Sequence, residues 1–130
     1  MPIATAYAEQ NRPVVLDDLE GLNRFRADVS VTQASQPPLI VSFEARGRAV
    51  YLGLAEDLGF VHVTPIPDQP PYIITVGDSG RDGTVEFFLH GEHHTEIEAR
   101  HLVPAEQAWS AVWEFLESGE LLSSLRWEEV

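Results

Sequence analysis

Histidine and carboxylate side chains are concentrated between His90 and His101. On an extended strand His90, Glu92 and His94 would point to one side, and imidazole and carboxylate groups together are donors that zinc accepts. Gly91 is expected to break the strand there and to scatter these side chains. The stretch therefore predicts exposed turn histidines. A small metal-dependent enzyme that uses the His90–His101 region stays open as an alternative.

Serine chemistry has one local candidate, Gly77-Asp78-Ser79-Gly80, which resembles the tetrapeptide around the nucleophile of trypsin-like proteases. That chemistry also needs a histidine base and a buried aspartate in a two-barrel body, and this chain has about half the necessary length. A turn between strands is the better interpretation. The chain contains no cysteine, which excludes a disulfide framework, a thiolate zinc site and a cysteine nucleophile. We predict no catalytic residues, no metal and no cofactor.

The composition is strongly acidic, because 21 Asp and Glu stand against 8 Arg and give a formal charge of −13. This charge argues against direct nucleic-acid binding and against an anionic membrane surface, since both need a basic footprint. It favours a basic partner, because opposite fields speed encounter. The N-terminal residues lack the pattern of a secretory signal, and no apolar stretch approaches ~18 residues. We expect a cytoplasmic protein.

The 130 residues suit one domain, 1–130, with a helix near each end. The first helix is predicted to begin near Asp17, which forms a capping pair with Glu20. The second is predicted to begin at Pro104, which suits the first helical position, and to end at Gly119, a residue that caps helices in the left-handed conformation. Each helix has an apolar stripe at helical spacing. The stripe residues are Leu19, Leu22, Phe25 and Val29 in the first helix, and Ala105, Trp109, Val112, Trp113 and Leu116 in the second.

The segment between the helices alternates apolar and polar residues in short runs separated by turn residues, which is typical of antiparallel strands. The C-terminal helix would cover the apolar face, which includes Val85, Phe87 and Leu89. The predicted fold class is α+β, an antiparallel meander sheet with an N-terminal helix and a C-terminal helix packed on the sheet. The predicted strands are 39–46, 48–55, 60–64, 72–77, 84–90, 94–100 and 125–130.

Two surfaces are candidates for binding a partner. In a regular meander the turns 56–59 and 78–83 fall at one end of the sheet, which would bring four acidic residues together. Such a cluster repels itself unless a basic partner or solvent screens it. These residues are Glu56, Asp57, Asp78 and Asp82.

The second surface is the sheet face opposite the C-terminal helix. Two aromatic residues among acids there, Tyr51 and Phe88, are typical of a partner-binding surface, and ordinary aromatic residues on a sheet are the alternative. Strand alternation predicts that this face carries Glu44, Tyr51, His62, Thr75, Glu86, Phe88 and Glu98.

Several segments resemble one family in their order and spacing. Residues 102–108 (LVPAEQA), 114–119 (EFLESG) and 125–128 (LRWE) resemble the closing signature of the Imm1 family, immunity proteins of bacterial polymorphic toxin systems. Upstream, residues 51–60 resemble the family's strand, acidic turn and strand, and Tyr72 to Asp78 resembles its strand ending in V-G-D. Pro70-Pro71 stands where members often carry an aromatic residue.

The resemblance implies a non-enzymatic protein that binds and neutralises the cognate C-terminal toxin domain, a basic and nucleic-acid-acting partner of the deaminase-like kind. The family has no known catalytic residues to carry over. Occlusion of the toxin's active cleft by an acidic inhibitor is compatible with the charge. Two rival functions remain, the metal-dependent enzyme named above and a structural adaptor module acting through an edge strand.

Overall fold

A computed structural model describes residues 3–8, 13–33, 38–66, 71–78, 80–89 and 93–130. Within these ranges it contains the helices α1 (Leu19–Gln33) and α2 (Ala105–Ser118), and a short 3-10 helix at Ala99–His101. Neither α-helix combines the length and the apolar character that a membrane crossing requires. The strands are β1 (Ala4–Tyr7), β2 (Pro13–Leu16), β3 (Leu39–Ala45), β4 (Arg48–Ala55), β5 (Leu58–Pro65), β6 (Ile73–Val76), β7 (Thr84–Leu89), β8 (His93–Glu98), β9 (Val103–Pro104) and β10 (Arg126–Glu129).

Consecutive strands pair antiparallel from β3 to β6, which is the predicted meander. The β3–β4 connection needs only Arg46 and Gly47, both at positive φ (53° and 72°), as in the tight turns that suit twisted hairpins. The meander continues to β1 and β2 on one side and to β10 on the other, in the order β10-β6-β5-β4-β3-β1-β2. The predicted α+β class with an antiparallel sheet is confirmed.

Strand β7 leaves the regular meander. It does not pair with β6 but runs parallel to the first residues of β3, with Leu39 beside Phe88 and Ile40 beside Leu89. Its other edge pairs antiparallel with β8. Strand β9 occupies part of the edge of β5, where Leu58 faces Pro104 and Gly59 faces Val103. The sheet is therefore antiparallel apart from this one short parallel pair among the described strands.

Both helices pack on the same face of the sheet and form the larger core. Phe25 of α1 meets Phe43 of β3 edge-on at 5.6 Å between ring centroids. Trp109 of α2 is buried, as its place on the apolar stripe predicts, and Trp113 and Trp127 pack partly buried against the same core. The other core residues on this face include Leu22, Val29, Leu39, Val41, Val50, Leu52, Leu54, Val61, Val63, Val112, Phe115 and Leu116.

A second, smaller core lies on the opposite face. The β7–β8 hairpin curls over this face, and Phe87 packs edge-on against Phe60 of β5 at 5.0 Å. The prediction that Val85, Phe87 and Leu89 face the helix side was therefore wrong, because the hairpin supplies its own cover for the other face. The centre of this core is Ile40, Phe60, Ile74, Phe87 and Leu102.

The ends of the helices follow capping chemistry. Gly119 adopts φ 79° after α2 and donates its N–H to the Phe115 carbonyl, as predicted. The first N–H of α2, on Ala105, is satisfied by the carbonyl of Asp57. At α1 the predicted cap was wrong by one residue, since the carboxylate of Asp18 rather than Asp17 accepts the Gly21 N–H at 2.8 Å.

Candidate functional site

The four predicted acidic residues lie in two exposed turns at the same end of the sheet. Glu56 and Asp57 form the two-residue turn between β4 and β5, with Glu56 at φ 57°. Asp78 follows β6, and its carboxylate accepts the Gly80 N–H at 3.0 Å. Asp82 lies just before β7 and is exposed. The chain thus displays these carboxylates to solvent at one end.

The predicted merging of the two turns into one cluster assumed a regular meander. The backbone of Gly77 instead donates to the Arg100 carbonyl, and Asp57 accepts from Ala105. Residues 100–105 therefore run between the two turns, and β9 takes the edge of β5 that a longer β6 would have used. The acids form two neighbouring groups that flank the start of α2.

A cleft opens around Tyr51 on the sheet face opposite the helices. It has a volume of about 540 Å³, within the range of small-molecule and side-chain pockets. We call it the tyrosine cleft. Glu44 and His62, both predicted for this face, are among its residues. It is lined by Glu44, Ala49, Tyr51, His62, Thr64, Pro65, Ile66 and Tyr72.

The walls of the tyrosine cleft are aromatic. The ring of His62 lies between two tyrosines, 6.1 Å from Tyr51 and 6.3 Å from Tyr72 between ring centroids. Tyr72 was missed as a functional candidate because the prediction put Thr75 of strand 72–77 on the face of Tyr51, and alternation then assigns Tyr72 to the opposite face. The only signal that could have found it was its position just before β6, beside the strand that carries His62.

Phe88 does not share this surface. Its neighbours Phe87 and Leu89 point into the second core, so alternation turns Phe88 to the outer side of the hairpin. There its ring lies 5.7 Å from that of His94. Cross-strand pairing places Glu86 and Glu98 on the same outer side. The prediction that Tyr51 and Phe88 lie on one face was wrong in this respect.

Among the residues that the structure describes, the outer side of the hairpin holds the group closest to a metal site. Glu86 and Glu96 are direct cross-strand partners, and ligand atoms of both and of His94 lie within 4.8 Å of one another. The Nε2 of His94 is 3.1 Å from a carboxylate oxygen of Glu86. All three side chains are exposed. Chemically, the group suits a divalent cation as well as the present contact between His94 and Glu86. Of the predicted histidine cluster, residues 90–92 and the side chain of residue 93 lie outside the described residues.

His101 belongs to a structural junction instead. It is 5% exposed, and its Nδ1 lies 2.9 Å from the carbonyl of Thr75. Thr75 was predicted on the face of Tyr51, but its neighbour Ile74 pairs with His62 there. Thr75 therefore points the other way, and its buried hydroxyl accepts the N–H of Val61 and donates to the carbonyl of His101.

Two ion pairs of one half-buried arginine join this junction to the last strand. The guanidinium of Arg100 contacts Glu98 at 2.6 Å and Glu128 at 2.7 Å. Its hydrogen bonds hold the pKa of both carboxyls below the usual value. The same contacts raise the pKa of Arg100. These residues connect β8 to β10 and display no reactive group.

A known protein family matches this chain. The family model described as Immunity protein Imm1 matches residues 11–129, nearly the whole chain. The search of the curated proteins finds no match. The matched region includes both acidic turns, the tyrosine cleft and α2. By this match, the chain belongs to the Imm1 family of immunity proteins, whose members act against toxins.

Proposed function

We propose that this immunity protein neutralises a deaminase-like toxin that acts on nucleic acid, by occupying the toxin's basic active-site cleft in the cytoplasm of the producing cell. The observation that best supports this proposal is the formal charge of −13 in a chain of this family. The protein performs no reaction in this proposal. Its partner is the cognate C-terminal toxin domain.

The physical basis is charge complementarity. A domain that acts on DNA or RNA must present a basic surface to bind phosphates. An acidic inhibitor is steered to that surface, and the same field excludes nucleic acid while the inhibitor stays bound. A complex of ordinary size would bury about 800 Å² on each partner.

The two acidic turns are the proposed steering surface, because Glu56, Asp57, Asp78 and Asp82 are exposed at one end of the sheet. We expect the double variant Asp57→Arg, Asp82→Arg to slow association about tenfold at low salt, with a smaller change in dissociation. Stopped-flow mixing with the toxin domain measures both rates.

The matched control changes the same charge elsewhere. Glu117 and Glu120 are exposed at the end of α2, and replacing both with Arg changes the net charge by the same four units as the turn variant. If the two double variants slow association equally, net charge alone acts and the turns are not the steering surface.

The function itself is tested by co-expression with the toxin encoded beside the gene. Survival of the cells and co-elution of the two proteins in gel filtration are expected. If the toxin kills the cells as efficiently as without this protein, and the two proteins elute separately, the proposal is wrong. If the pair elutes together but the toxin remains active on nucleic acid in vitro, cleft occlusion is the part that fails.

A metal-dependent role is the second candidate, favoured by the convergence of Glu86, His94 and Glu96. Elemental analysis of untagged protein tests it. Stoichiometric zinc or iron that disappears in Glu96→Gln would favour this role, and metal-free protein that still protects cells would exclude it.

The adaptor role finds support in β2, an edge strand on which Val14 and Val15 are 41% and 58% exposed. Sedimentation at micromolar concentration tests it. Self-association without any toxin complex would favour an adaptor over an inhibitor.

A further inference from the structure

The tyrosine cleft lies beside the second core. Along β4 on this face, Gly53 is covered by the ring of Phe60, which is 1% exposed. Two and four residues back along the strand come Tyr51 and Ala49, which line the cleft. The small side chain of Ala49 leaves depth, and Tyr51 forms the boundary to the packed core.

The cleft is also negatively charged. Glu44 is its one charged lining residue among those the structure describes. The two nearest cations in sequence point to the helix side: Arg46 donates to the carbonyls of Leu116 and Glu117 at the end of α2, and Arg48 lies over the ring of Phe115 at 5.9 Å. Within the described ranges no cation contacts the Glu44 carboxylate, which is exposed.

We infer that the tyrosine cleft binds an arginine side chain of the toxin, whose guanidinium stacks on a tyrosine ring and pairs with Glu44. This inference rests on the proposed function, because it supplies the anchor of the same complex. It adds the chemical identity of the group that is bound and the residues that bind it.

Arginine fits better than the other side chains a basic toxin offers. Its guanidinium is planar, stacks on aromatic faces and pairs with a carboxylate in a fork geometry. Lysine is a compact, strongly hydrated charge without a stacking plane. An anionic group would be repelled by Glu44, and an apolar group would cover that carboxylate without pairing it. Tyrosine and arginine are also the residue types that dominate the binding energy of interfaces.

Binding of the toxin domain to variants of the cleft tests the inference. Glu44→Gln and Tyr72→Leu are each expected to raise the Kd about tenfold or more, mainly by faster dissociation. Tyr72→Phe keeps the ring face and should bind within about threefold of the original protein. Glu117→Gln removes the same charge as Glu44→Gln from an exposed helix position and should leave the Kd nearly unchanged.

The toxin side is tested by changing its arginines one at a time to lysine. One such change should weaken binding to the original protein and have little further effect in the Glu44→Gln background. Thermal unfolding of each cleft variant shows that the loss is not one of folding. Cleft variants that bind as tightly as the original protein would overturn the inference, while the complex and the proposed function would remain.

A free small molecule is the other source of a guanidinium. Titration with N-acetylarginine amide, followed by the NMR signals of the cleft tyrosines, measures this source. If this amide binds tightly while toxin affinity is insensitive to Glu44→Gln, the cleft is a metabolite site and the inference is wrong. If no toxin complex forms even with the original protein, the proposed function fails first, and that outcome is separate from the failure of the cleft variants.

Discussion

Gly53 is the position where adding one carbon should disturb the fold most informatively. A Cβ built there would lie 2.0 Å from the nearest ring carbon of Phe60, so the ring would have to move by more than 1 Å to reach ordinary contact. That ring is 1% exposed and rests edge-on against Phe87 at 5.0 Å. Overpacking of a filled core costs typically 1–3 kcal/mol. The backbone of Gly53 is not at positive φ, so the cost comes from packing alone.

We therefore expect Gly53→Ala to lower the free energy of unfolding by about 2 kcal/mol. Phe60→Ala should cost about 3–5 kcal/mol as a large-to-small change. The double variant should cost about 1–3 kcal/mol less than the sum, because the vacated ring position accepts the new methyl group. If Phe60→Ala does not fold, Phe60→Leu gives the same cycle with a smaller cost.

Urea unfolding followed by tryptophan fluorescence measures the cycle. Costs that add to within about 0.5 kcal/mol would show that the ring of Phe60 does not lie over Gly53. The description of the second core beside the tyrosine cleft would then be wrong, because that core places the ring of Phe60 over Gly53.

Three further changes test other parts of the fold. Gly77→Ala should destabilise the protein more than Gly53→Ala, because its Cβ would lie 1.8 Å from the backbone oxygen of Leu102. A backbone atom cannot move aside by a change of rotamer, so a severe loss of folded protein is expected. Gly21→Ala in α1 meets nothing closer than 3.5 Å and should raise the unfolding free energy by about 0.5–1 kcal/mol. Glu128→Gln should lower the urea midpoint at pH 7 and matter less in acid.

The sign of the last prediction follows from the pKa of Glu128. Arg100 lowers that pKa in the folded protein below the value of 4.5, so the unfolded chain binds more protons just below pH 4.5. The stabilisation is present above pH 4.5 and is lost as the pH falls through the folded pKa. A difference in urea midpoint between Glu128→Gln and the original protein that widens in acid would contradict this prediction. A stable Gly77→Ala would contradict the prediction for Gly77, and a destabilised Gly21→Ala would contradict the one for Gly21.

Local patterns predicted the parts of the fold that are held by neighbours in sequence. The alternation from Leu39 to Ala55 and the two turns within and after it define β3, β4 and β5, because a hairpin needs only a turn and two matching faces. Pro104 and Gly119 bounded α2 to within a residue for the same reason. These features depend on residues close together in the chain, so the sequence displays them directly.

The missed elements depend on distant partners. Strands β1 and β9 have four and two residues, and they are strands only because β3 and β5 offer open edges. The pairing of β7 with the start of β3 joins residues about 50 positions apart, and nothing in either segment specifies it. That one pairing also explains why Phe88 does not share the surface of Tyr51, because it goes with the placement of Phe88 on the outer side of the hairpin.

The acidic turns and the tyrosine cleft would act at different stages of binding. Exposed carboxylates at one end of the sheet act over roughly a Debye length, about 8–10 Å, and set the rate of encounter. The cleft acts only in contact, through stacking and one ion pair, and so sets the rate of dissociation. If Asp57→Arg with Asp82→Arg changes association and Tyr72→Leu changes dissociation, combining them should multiply the two effects on Kd, because the surfaces share no residue.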